Sequence, residues 1–203
     1  MQFDRNKLKA IILYTCGRCP PEQLGAVKLH KVLYFLDMIS YALSGHPVTG
    51  AVYKKRPFGP TCVPLLPALA EMQRDGQLDI SHSEYFGYSK TQYAALQAPD
   101  LEQLSEMDLA RLNEVIDFVC YANTARTISE FSHQAPWEMA ELGDVIGYDT
   151  ALLLFPSQAS AEALDLVEAG ERAFAKAGSA RDTVGRSTYG DFRGRVLSHF
   201  GTA

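Results

Sequence analysis

Long hydrophobic runs are missing from this chain of 203 residues: no stretch approaches the ~18–20 apolar residues that a membrane-spanning helix needs. Basic residues are also in the minority, with 19 Lys and Arg against 24 Asp and Glu, a formal net charge of −5 and a pI near 5.5. Nucleic-acid binding draws on a concentrated basic surface, so that balance argues against a protein whose main partner is DNA or RNA. Cysteine is sparse, at four residues. Cys62 and Cys120 stand alone, and no two histidines have the close spacing of a zinc-ligand pair, so the paired clusters of a structural zinc site are lacking. There is no phosphate loop, no dinucleotide fingerprint and no Gly-x-Ser-x-Gly elbow. The opening "MQFDRNKLKAIILYT" is too polar at its start and too short in its apolar part for a secretion signal, so a cytoplasmic protein is expected.

What remains is an ordinary globular composition, 47% apolar and 21% charged, in a chain long enough to bury a sizeable core. Leu8, Ile11, Ile12 and Thr15 recur at helical spacing and predict a first helix from about Asp4 to Cys16. Gly17 is expected to end it in the left-handed conformation, before Pro20 and Pro21 forbid continuation. A longer helix is expected from about Leu24 to Ser44, apolar nearly all round and therefore central to the core, closed by Gly45 and Pro47.

"AVYKKRPFGP" reads as a short extended segment running into a turn at Gly59-Pro60, and Thr61 to Asp75 returns to helical spacing. Short β-type runs at Leu78 to Ser81 and Tyr85 to Tyr93 predict an antiparallel hairpin. Ser105 with Glu106 and Asp108 has the form of a helix N-cap. Two short helices are expected from Thr124 and from Pro136, the second with proline at its first position. A further helix is expected at about Ala159 to Lys176, and the Gly-, Ser- and Arg-rich remainder is expected to be mobile or to order on a partner. The fold class is thus α+β and predominantly helical, with a central buried helix and a small antiparallel sheet. One domain is expected over residues 1–156, and a C-terminal helix and tail over 157–203.

Few residues suggest chemistry. Cys16 and Cys19 are three apart, but a thioredoxin-like site needs a strand before the pair and a helix opening at it, and here a helix precedes it. The pair is therefore read as a helix end. Ser132 and His133 are sequence neighbours that point to different helix faces. His30 and Asp37 share a face but lie two turns apart, and are read as a partly buried polar pair satisfied by neighbours. Lys28, Lys31, Lys54, Lys55 and Arg56 are candidates for one basic face, either solvated or turned to an acidic protein. Trp137, the single tryptophan, is expected to be a core anchor whose indole N–H finds an acceptor. No catalytic, metal or cofactor residue is assigned.

Two blocks nevertheless form a pattern. "KLHKVLYFLDMISYALSGHP" followed by "AVYKKRPFGP" places Lys28, Leu29, Lys31, Leu33, Tyr34, Gly45, Phe58, Gly59 and Pro60 on a Lys-Leu-x-Lys helix, a small-residue turn and an aromatic-Gly-Pro ending. "ISEFSHQAPWEMA" supplies Ser129, His133 and Trp137, with Ile146 and Asp149 beyond. Over roughly Asp4 to Phe155 the chain resembles the Panacea domain, the antitoxin domain of SocA-like proteins.

That resemblance implies a non-enzymatic protein that neutralises a cognate protein toxin by direct contact, encoded beside it and often in bacterial or prophage genomes. Neutralisation proceeds either by masking or by delivery to a protease, and the family's catalogue of toxins is too varied to name this one. Lys28, Lys31, Tyr34, Arg56, Phe58, Gly59 and Pro60 are then the candidate partner-binding residues, with His133 and Trp137 as the structural signature. Phe58 beside Arg56 suits an interface anchor, and suits equally a plug under the turn. The competing readings are a DNA-binding regulator using Lys28 and Lys31, and a hydrolase pairing His133 with Ser129, Ser132 or Cys120.

Overall fold

The computed structural model describes residues 2–85 and 88–154. The helix expected at 159–176, the tail and the division at 157–203 lie outside the described residues. The fold class is as expected: predominantly helical, α+β, with small antiparallel sheets around one buried helix.

Helix α1 (Arg5–Arg18) opens on Asp4, whose carboxylate accepts from the N–H groups of Asn6 and Lys7 at 3.0 Å. Its buried stripe of Leu8, Ile11, Ile12 and Thr15 is the one read from the spacing. The end differs. Gly17 stays inside the helix, and Cys19 caps it in an extended conformation, with its N–H on the Thr15 carbonyl at 2.9 Å. Proline, not a left-handed glycine, is the stop. All four cysteines are buried and unbridged, and burial pushes the Cys16 thiol up to about 12.

Helix α2 (Ala26–Ser44) starts two residues later than expected, with Gly25 as its cap, and ends at Gly45, which takes φ +73°. Apart from His30, its side chains from Lys28 to Ser40 are buried, polar ones included. Around it run strand β1 (Tyr53–Arg56) and strand β2 (Gly59–Cys62), helix α3 (Leu65–Arg74), strands β3 (Leu78–Tyr85) and β4 (Tyr88–Ala95), and helix α4 (Glu106–Ile116). A π-turn (Asp117–Tyr121) extends α4, and helix α5 (Ala125–Phe131), helix α6 (Ala135–Glu138), strand β5 (Val145–Ile146) and helix α7 (Ala151–Leu154) follow. The Ser105 cap is reciprocal: its hydroxyl accepts from Asp108 N–H while the Asp108 carboxylate accepts from Ser105 N–H. Thr124 and Thr127 cap α5 in the same way, and in α6 Pro136 takes the second helical position rather than the first.

The β1–β2 turn is Pro57-Phe58 rather than Gly59-Pro60, because Arg56 pairs with Gly59. Proline presets the first central position of such a turn, and Gly59 follows it with φ +92°, a value glycine adopts without strain. Pro60 is accommodated because β2 is an edge strand of the sheet β2–β1–β5. Thr61 and Cys62 are thus used in the sheet, so α3 begins only at Leu65, with Pro67 in its first turn where no N–H is needed. The second hairpin, β3–β4, is longer than the β-type runs suggest; β4 lies against α1 and β3 against α3.

Asp37 joins the middle of α2 to three other segments. Its carboxyl group is fully buried and accepts from Thr49 N–H at 2.7 Å, Thr49 Oγ1 at 2.5 Å, Tyr53 OH at 2.8 Å and Tyr148 OH at 3.1 Å. The two tyrosines also reach the carbonyls of Leu33 (2.8 Å) and Ala51 (2.6 Å) respectively. Burial raises the Asp37 pKa in spite of these donors. A raised carboxyl pKa stabilises the fold at low pH, and that contribution is lost as pH climbs from the ordinary carboxylate value of about 4 through the raised value. Urea titrations should therefore show a falling stability across that window that Asp37→Asn flattens. Asp37→Ala, which leaves the Thr49 N–H and hydroxyl without their acceptor while the two tyrosines keep their carbonyls, should cost at least about 2 kcal/mol. An unchanged midpoint for Asp37→Ala would contradict this placement.

Candidate functional site

The β1–β2 hairpin is held at its tip by side chains from three helices. Lys31 of α2, about 1% exposed, runs through the interior and donates from Nζ to the Pro60 carbonyl at 3.0 Å. Ser129 of α5 donates from Oγ to the Phe58 carbonyl at 3.0 Å, and Trp137 of α6 donates from its indole N–H to the Arg56 carbonyl at 3.1 Å. Lys55 donates to the Ala140 carbonyl at 3.0 Å, with its ammonium 3.9 Å from the Trp137 ring centroid. Gly59 packs so closely that a Cβ would fall 2.2 Å from Ser132 Oγ and 2.5 Å from Lys31 Nζ. The turn's carbonyls are tied down while its side chains point away: Phe58 is 72% exposed and Arg56 is exposed.

Burial sets the electrostatics of this platform. It pulls the Lys31 pKa down to about 7, since a lone carbonyl compensates little of the lost hydration. His133 stacks on Trp137 with ring centroids 3.9 Å apart and planes 15° from parallel. Its pKa is lowered by burial and then by Lys31 and Lys55, and its Nε2 has no hydrogen-bond partner among the described residues, which favours the neutral imidazole. His30 faces the other end of β2: its Nδ1 accepts from Cys62 N–H at 3.1 Å, and burial followed by Lys31 brings its pKa to about 4. His30 and Asp37 are thus satisfied separately.

Of the residues expected at a partner surface, the structure brings Lys31, Gly59, Pro60, Arg56 and Phe58 together and keeps Lys28 and Tyr34 apart from them. Only Arg56 and Phe58 are outside. Lys28 is buried against the Cys120 carbonyl, 2.7 Å from Nζ, and Tyr34 is enclosed among Phe35 and Tyr53. Gly59 and Pro60 are buried as well. Phe58 is therefore an exposed tip and not a plug. Trp137 is a half-buried strut whose N–H finds a backbone acceptor as expected. Ser132 Oγ donates to the Ser129 carbonyl at 2.7 Å, so both serine hydroxyls beside His133 are committed to backbone. The contribution of Lys55 as a strut and of Tyr148 as an Asp37 partner was not signalled by local spacing. Nor was β5, which at two residues is too short to show a period.

A family model described as "Antitoxin SocA-like, Panacea domain" matches residues 29–138. The chain belongs to this family. The match runs from the first turn of α2 to the end of α6, a narrower span than the motifs suggest. It contains the hairpin and its struts Lys31, Ser129 and Trp137, while the Asp37 partner Tyr148 lies beyond it. No curated protein and no solved structure matches the chain. In Panacea terms, the Lys-Leu-x-Lys helix and the Ser-x-x-x-His-x-x-x-Trp stretch are two sides of one clamp on the aromatic-Gly-Pro turn.

The clamp can be tested directly. Gly59→Ala meets both a left-handed backbone and a filled space, and should cost at least about 2 kcal/mol. Trp137→Ala removes the strut and should cost about 2–4 kcal/mol. Denaturant melts check both, and a Gly59→Ala variant as stable as wild type would contradict the packing at the turn.

Proposed function

We propose that this protein is an antitoxin that neutralises a protein toxin by direct contact, with the Arg56-Phe58 tip as part of the contact face. Membership of the SocA-like Panacea family is the observation that carries the reading. The exposed aromatic beside an arginine supports it: such pairs anchor protein interfaces, and here the backbone beneath them is already fixed, so binding need not pay for ordering the turn. The DNA-binding alternative finds less support. Lys28 and Lys31, its candidate recognition residues, are buried, and α2 is enclosed by the fold rather than open to a groove.

Co-expression with the product of the adjacent gene tests the proposal. That product alone should arrest growth, and the pair should restore it, with an affinity in the nanomolar range, about −12 kcal/mol. Arg56→Glu and Phe58→Ala should each weaken neutralisation, with a loss of affinity of about tenfold or more, at an unchanged melting temperature. Toxin abundance in the rescued cells separates masking, which leaves it unchanged, from delivery to a protease, which lowers it. A neighbour that is harmless alone, or remains toxic when both proteins are abundant and soluble, would sink the reading.

A further inference from the structure

The sheet β2–β1–β5 has two unlike faces. Along it, Tyr53, Cys62 and Ile146 are aligned in one cross-strand row and are all buried, 1%, 1% and 3% exposed, against the core. The next row, Lys54, Thr61 and Val145, must point the other way, because successive strand residues alternate faces. Val52 and Val63 form the row on the other side of Tyr53, joined by a Val63 N–H to Val52 carbonyl bond of 2.8 Å. The outward face therefore carries Val52, Val63 and Val145, at 45%, 45% and 57% exposure, around Lys54, with Arg56 continuing it to the Phe58 tip.

Two features make this face unusual for a solvated sheet surface. An antiparallel sheet that turns one side to water normally carries polar residues there, whereas three of these side chains are valine. Among the described residues, neither Lys54 nor Arg56 forms an ion pair, although acidic groups outnumber basic ones over the chain. Two acids, Glu141 and Asp144, sit in the turn entering β5, where the Asp144 carboxylate accepts from Glu141 N–H at 3.3 Å.

We infer that this outer face of the β2–β1–β5 sheet is the docking surface for the toxin, and that the toxin meets it with an acidic, otherwise apolar surface. The inference rests on the antitoxin reading and extends it from the hairpin tip to a whole face of defined chemistry. An acidic partner is repelled by most of a chain of net charge −5 and steered to its uncompensated cations. Valines around those cations then exclude water and strengthen the pairing. A second copy of this chain would set Lys54 and Arg56 against the same cations, which disfavours self-association here.

The test is calorimetric titration of the adjacent gene's product with the full-length protein at low and high salt. Lys54→Glu should bind about tenfold or more weaker at low salt and lose much of the salt dependence, while Lys54→Arg stays within about threefold of wild type. Val145→Ser should weaken binding without changing its salt dependence. Melting curves should be unchanged for all three. If wild type binds and Phe58→Ala weakens it, but Lys54→Glu and Val145→Ser bind as wild type, the docking face is wrong and the antitoxin reading stands. If wild type does not bind the product at all, both fall together. A free protein that sediments as a dimer dissociated by Val145→Ser would show the face to be covered by a second copy. Lys54 resistant to acetylation in the free monomer would show it covered by the chain itself. Either result would overturn the inference.

Discussion

Asp37 holds a carboxyl group in the core with no cation beside it among the described residues, and much of the architecture follows from how it is satisfied. An isolated buried carboxylate is too costly to keep without compensation, so donors must be gathered from outside α2. Thr49 brings in the loop after the helix, Tyr53 brings in β1, and Tyr148 brings in the segment that follows β5. The sheet is thereby fixed to α2 from both sides, with Tyr53 lying edge-on to Tyr34 and to Tyr148.

The same helix then serves a second polar role two turns away. Lys31 and His30 contact β2 at Pro60 and Cys62, and Lys28 reaches the π-turn at Cys120. Lys28, His30, Lys31 and Asp37 on α2 thus each bond a backbone atom of another segment, which an apolar helix could not do. Removing a single one leaves an unpaired group in the core, a cost larger than the net worth of the bond itself. The consequence is geometric: the carbonyls of Arg56 and Phe58 are fixed while both side chains stay exposed, and on the proposed function that lowers the ordering cost of binding there.

Much of this was legible in the amino-acid sequence, and the exceptions have physical causes. The all-round apolar character of 24–44 marked α2 as central, Ser105 and Asp108 marked a capping box, and the glycine-proline pattern marked a turn. The turn's position shifted because a proline at its first central position outweighs a following Gly-Pro once β2 occupies an edge. Lysines at 28 and 31 read as a surface because charge is usually solvated, and nothing local in the sequence shows that a carbonyl waits inside for each. Tyr148 is 111 residues from Asp37, and pairings at that separation leave no periodic trace. The family pattern of lysines, glycine, histidine and tryptophan was readable as a pattern, but its meaning as a clamp required the fold.

The central claim is that the clamped hairpin and the sheet behind it form the surface through which this antitoxin-family protein acts. Hydrogen–deuterium exchange of the full chain, free and in complex with the adjacent gene's product, measures that surface without altering any residue. The account predicts new protection confined to peptides covering 52–63 and 139–146, with the β3–β4 hairpin and α1 unchanged. Protection concentrated on β3–β4 or on α1, with 52–63 exchanging as in the free protein, would contradict it.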